Sequence, residues 1–161
     1  MGTSRIYLET TMFSFYYETR EEPHYQKLKA QVRQIFDQIK AGKYEPYTSP
    51  YATDEIEGEK DQEKRENMKG LIAEYGVITL PVTAEVERLA ALYIQEKAIS
   101  PAYPTDAAHI AITAINGLDF IVSLNFTHIV RPWTIDRVSR VNGRENYKGI
   151  GIYRPAEVLE L

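Results

Sequence analysis

The sequence contains no cysteine. That absence excludes disulfides, thiolate zinc sites and cysteine nucleophiles. It also has no apolar run approaching the roughly 20 residues that a membrane-spanning helix needs. The N-terminus lacks the basic-then-apolar pattern of an export signal, so the expectation is a cytoplasmic protein with no membrane partner. A surplus of positive charge is missing too. The formal net charge is −4, which argues against broad, non-specific affinity for nucleic acid. Neither a glycine-rich phosphate loop nor an Asp-x-Asp pair follows the first strand candidate, which speaks against a small-molecule phosphohydrolase.

What is present is enough for one compact domain over residues 1–161, with 43% of residues hydrophobic and 26% charged. Such a chain can bury a core without covalent staples. Its charge is unevenly spread. Acids dominate from Glu55 to Glu66, whereas Arg131, Arg137, Arg140, Arg144, Lys148 and Arg154 face only Asp136 and Glu145. That basic stretch forms either a local rim or an ordinary solvated surface.

Short β-type runs alternate with longer helical patterns, as in a parallel sheet wrapped by helices. Strands are expected at Arg5 to Leu8, Glu45 to Thr48, Val77 to Leu80, Phe120 to Leu124 and Gly149 to Tyr153. Leu28, Val32, Ile35, Phe36 and Ile39 fall at helical spacing, with Gly42 as a stop. A second helix starts at Ser49-Pro50 and runs toward Met68, Leu71, Ile72 and Tyr75. A third follows Thr83 and carries Val86, Leu89, Ala90, Tyr93 and Ile94 on one stripe. From Asp106 to Ile115 almost no polar face remains, so that helix must be buried on most sides, with Thr105 as its cap and Asn116-Gly117 as its end.

Ligands of open parallel α/β sheets gather beyond the carboxyl ends of the strands. Glu9 lies just past the first strand and Asn125 just past the fourth, so both belong to that edge. The helix carrying Asp106 runs antiparallel to the strand it feeds, which returns its first turn to the same place. Glu55 lies roughly 9 Å along its helix from the cap and can reach inward, whereas Asp54, about 100° away, then cannot. Asp119 precedes its strand and belongs to the opposite end. Oxygen donors of this kind suit Mg²⁺ or Mn²⁺. Buried together without metal they would repel, and one or more would take up a proton. Ser123 and Asn125 are also suited to satisfying backbone groups at a strand end. His109 and His128 are more simply scaffold residues, and Phe13, Phe15, Tyr16 and Tyr17 more simply packing groups.

Four segments together resemble the PIN-domain family, and in particular its VapC-like toxin branch. They are Ile6 to Thr11, Thr48-Ser49 through Glu55-Ile56, Asp106 to Ala111, and Phe120 to Ile129; Tyr153 to Glu157 is similar to the family's closing strand and turn. The resemblance implies a three-layer α/β fold with a central parallel sheet of about five strands in the order 3-2-1-4-5. It implies an endoribonuclease site that uses Mg²⁺ or Mn²⁺, with Glu9, Glu55 and Asp106 as metal ligands, Asn125 as the fourth polar residue, and Thr10 and Ser123 in support. It further implies RNA as substrate, a homodimer and an inhibiting antitoxin. Glu9 stands where the family usually has Asp, one methylene shorter, and Asn125 adds no charge. The alternative is a PIN-like module that binds RNA or a protein without cutting.

Overall fold

The computed structural model describes residues 2–161, which contain five strands and eight helices. The strands are β1 (Ser4–Leu8), β2 (Tyr44–Thr48), β3 (Ile78–Thr79), β4 (Phe120–Val122) and β5 (Gly151–Tyr153). All pair in parallel, in the order β3-β2-β1-β4-β5, which agrees with the expected sheet. The helices are α1 (Thr10–Tyr16), α2 (Pro23–Lys40), α3 (Pro50–Glu57), α4 (Gln62–Glu74), α5 (Ala84–Gln95), α6 (Pro104–Ile115), α7 (Pro132–Arg144) and α8 (Pro155–Val158).

Because side chains alternate along a strand, β1 feeds two cores. Ile6 and Leu8 pack with Val32, Ile35 and Phe36 of α2 and Leu71 of α4, while Tyr7 points to the other face, among Leu89 and Tyr93 of α5 and Ile110 of α6. Both faces of the sheet are thus covered, as an all-parallel sheet requires. No helix among the described residues is long and apolar enough to cross a membrane.

Several boundaries differ from the sequence expectation. The helix begun at Ser49 does not continue to Tyr75: it stops at Gly58, and Asp61 accepts from the Lys64 N–H to start α4 afresh. Thr105 does not cap α6. Tyr103 occupies that place and Pro104 takes the first helical position, where its missing donor costs nothing. α1 and α7 form where no helix was expected. From Ala107 to Ala114 every residue of α6 is buried, as its apolar surround required.

Candidate metal centre

The ends of β1, β2 and β4 and the start of α6 meet at one edge of the sheet. Glu9 directly follows β1 and caps α1, its Oε1 accepting from the Thr11 N–H at 3.3 Å. The same oxygen accepts the hydroxyls of Thr11 at 2.5 Å and Ser123 at 2.6 Å. Thr11 in turn accepts from the Leu124 N–H at 2.8 Å. The end of β4 is thereby tied to the end of β1. Glu9 is only 3% exposed, and burial raises its carboxyl above the usual range despite His109, Ser123 and Thr11.

Glu55 sits in the second turn of α3, whose N-cap Ser49 directly follows β2. Its Oε1 accepts from the Thr10 hydroxyl at 2.6 Å and from His109 Nε2 at 2.7 Å. Burial raises its carboxyl, but the His109 hydrogen bond and charge, with Thr10, outweigh it, and the net shift is downward. The ionised carboxylate only accepts, so Nε2 carries a proton. His109 Nδ1 lies 2.6 Å from the Tyr7 hydroxyl, itself 2.6 Å from Ser49 Oγ. Burial pushes the Tyr7 hydroxyl far above the ordinary phenol value, so it stays protonated. The donors then order themselves: Ser49 to Tyr7, Tyr7 to His109, His109 to Glu55.

Ligand atoms of Glu9, Glu55 and His109 all lie within 4.8 Å of one another. Asp106, one turn before His109 on α6, falls outside that tight group but borders it. Burial raises its carboxyl, opposed by His109, His128 and the Asn125 side chain, while the Glu55 charge pushes it further up. Asn125 Oδ1 accepts the His128 N–H at 2.9 Å, and Ser123 Oγ accepts the Asn125 N–H at 2.9 Å, so both also perform the strand-end duty their residue types suit. His128 stacks on Tyr103, ring centroids 3.7 Å apart, beside the first turn of α6. Asp119 binds the Arg5 N–H and Lys148 at the opposite edge, as expected.

The structure therefore gathers Glu9, Glu55, Thr10, Ser123, Asp106 and Asn125 at one edge. His109, Tyr7 and Thr11 are not among the site residues that the sequence pattern points to. A usable signal existed for the first of them: Asp106 and His109 are three residues apart and share a helix face. The partners that make it functional come from 102 and 54 residues away and carry no local pattern.

The donor set fits a hard divalent cation. Glu9 and Asp106 are desolvated carboxylates whose charge lacks a cationic side chain bonded to either, and Glu9 Oε2 takes no hydrogen bond among the described residues. Both Nδ1 and Nε2 of His109 are engaged, which makes it a positioning group for Glu55 rather than a ligand. Compared with known proteins, the sequence matches no family model and no curated protein.

Proposed function

We propose that this protein is a divalent-metal-dependent endoribonuclease of the PIN type. The observation that carries the reading is the convergence of Glu9 and Glu55 within 4.8 Å, with Asp106 bordering them, at the carboxyl edge of a parallel sheet. Glu9, Glu55 and Asp106 would hold Mg²⁺ or Mn²⁺, with the Asn125 amide beside Asp106 as the fourth polar residue. When bound, such an ion would supply Lewis acidity to activate water and offset phosphate charge.

The chain's own residues do the rest. Thr10 and His109 hold Glu55 in one rotamer and Ser123 and Thr11 hold Glu9, each through Oε1, so that Oε2 of both is left without a hydrogen bond among the described residues. Burial raises the Asp106 carboxyl, so a bound cation would offset a charge that the fold alone leaves desolvated. In this reading the protein acts in the cytoplasm as the toxin of a toxin–antitoxin pair, as a homodimer restrained by an antitoxin protein. The test is cleavage of a structured RNA with Mn²⁺: Asp106→Asn abolishes it while the fold persists. A variant that cuts as fast as its parent overturns the assignment.

One feature favours a second reading, a module that binds RNA or a protein without cutting. Three donors saturate Glu9 Oε1, and Thr10 and His109 both donate to Glu55 Oε1, which lowers the demand for a cation. Isothermal titration with Mn²⁺ separates the two, since the degenerate site gives no saturable heat.

A further inference from the structure

The exposed aromatic side chains among the described residues are not scattered. Tyr103, Phe126 and Trp133 lie at the start of α6 or between β4 and the first turn of α7. A single exposed ring is commonplace, but a set confined to one border of a carboxylate centre marks a contact surface. Two of them are tied to that centre by direct contacts. Tyr103 O accepts the Asp106 N–H at 3.2 Å, and its ring stacks on His128, whose backbone N–H donates to Asn125 and whose charge lowers the Asp106 carboxyl. The His128 carbonyl in turn accepts the Thr134 hydroxyl at 3.1 Å, which places the first turn of α7 against the same loop. Trp133, beside Thr134, is anchored by its Nε1 donating to Lys97 O at 2.8 Å and is still 50% exposed.

From Trp133 onward the surface turns cationic. Arg137, Arg140 and Arg144 follow at the fourth, seventh and eleventh positions after it, so all four share one stripe of α7, about 16 Å long at 1.5 Å per residue. The Arg137 guanidinium lies 3.8 Å from the Trp133 ring centroid and makes no ion pair among the described residues. Arg140 meets only Asp136, at 3.1 Å with both side chains mostly exposed, and such a surface pair is weak enough to yield to a phosphate. Arg144 pairs with Glu96 and Glu145. The three arginines line a concavity of about 210 Å³ in which Glu96 is the one acid.

We infer that this border is the track along which single-stranded RNA leaves the metal centre, with bases on Tyr103 and Trp133 and phosphates on Arg137, Arg140 and Arg144. Unstacked bases need aromatic faces and the backbone between them needs cations, and here the two stand side by side. An acidic peptide would use the arginines and leave the exposed rings idle. The track rests on the ribonuclease reading for its role, since it begins beside Asp106. Its binding can be measured without catalysis.

Trp133 is the single tryptophan of the chain, so its fluorescence reads the contact directly. Hexauridylate added to the full chain in EDTA should quench that emission to saturation, whereas hexaglutamate should leave it unchanged. Anisotropy of fluorescein-labelled hexauridylate then gives the affinity. Trp133→Ala weakens binding roughly 5- to 100-fold, as loss of one stacked base does, while Trp133→Phe keeps most of it. Arg137→Gln lowers the slope of log affinity against log salt by about 0.7, as expected for one single-strand phosphate contact. Circular dichroism checks that Trp133→Ala folds without its bond to Lys97, and if it does not, the quench and Arg137→Gln decide. The inference falls if hexauridylate leaves the parent's emission unchanged, if folded Trp133→Ala binds like the parent, if Arg137→Gln keeps the parent's salt slope, or if hexaglutamate quenches as well as hexauridylate. A parent that binds through Trp133 but never cuts with Mn²⁺ leaves the track standing and sinks the nuclease. A parent that cuts while its tryptophan ignores hexauridylate does the reverse.

Discussion

Glu55 and His109 meet at 2.7 Å, a carboxylate that is 41% exposed gripped by an imidazole that is fully buried. A free glutamate on a helix surface samples several rotamers, and ordering it costs side-chain entropy. Here that cost is met in the folded core, because His109 is fixed by Tyr7 and Tyr7 by Ser49. The cleft's most exposed acid is therefore positioned from the middle strand of the sheet.

Tyr7→Phe should test that chain of contacts. It removes one hydroxyl and leaves His109 Nδ1 buried without a donor, at a cost of about 1–3 kcal/mol in urea denaturation. Mn²⁺ affinity by calorimetry should fall with it, because Glu55 loses its fixed rotamer. Unchanged stability and unchanged affinity would show that the contacts carry no weight.

Ser123→Ala takes one of the three hydrogen bonds from Glu9 while leaving the carboxylate itself in place. Loss of such an orienting partner typically costs 10- to 100-fold in metal affinity, and about tenfold is expected here for Mn²⁺. Glu9→Gln should instead remove binding altogether and raise the melting temperature of the metal-free protein, more so as pH rises, since a desolvated charge disappears. A lower melting temperature would show that Glu9 is stabilising as an anion.

The acids also predict opposed pH effects. Glu9 and Asp106 are raised on folding, so their contribution is full below the ordinary carboxylate values of 4.5 and 3.8 and is lost as pH climbs through their higher native values. Glu18 is the opposite case. Arg20 donates to both its oxygens at 2.8 Å and holds it at about 2, so its contribution is present above 4.5 and is lost as pH falls through about 2. Carboxyl NMR titration should show Glu18 among the last groups to protonate and Glu9 among the first. In thermal melts, Mn²⁺ should stabilise more at pH 8 than at pH 5.

Between α5 and α7, the Tyr93 hydroxyl donates to Asn142 Oδ1 at 2.5 Å, while Asn142 Nδ2 is buried without a partner. Tyr93→Phe should cost about 1–3 kcal/mol, because it leaves the amide oxygen unsatisfied as well. Adding Asn142→Leu should restore most of that loss. A double-mutant cycle in urea reads the coupling directly, and additive effects would contradict it.

Much of the architecture is visible in residue pattern alone. The alternation of β-type runs with helical stripes, and the all-apolar run around Ala107 to Ala114, correspond to the sheet and its buried helix. What escapes has physical causes. α1 is seven residues rich in aromatics, too short to show a period, and α7 looks like a basic tail because its arginines outnumber its buried Val138 and Val141. Pro132 at its first position was the available cue. β3 shrinks to two residues because it is an edge strand with Ile78 left 46% exposed. At the centre, the acids were legible from the strand-end rule, but the groups that orient them were not. Thr11, Tyr7 and His109 are ordinary in sequence and acquire their roles only when distant segments are brought together.

Asp106 and His109 both ride on α6, whose residues from Ala107 to Ala114 are sealed from water. A cleft mounted on a loop can loosen while its scaffold survives, but this one has no such independence. Warming or mutation that frees α6 dismantles the interior at the same moment, so loss of the centre and collapse of the domain should arrive as a single event.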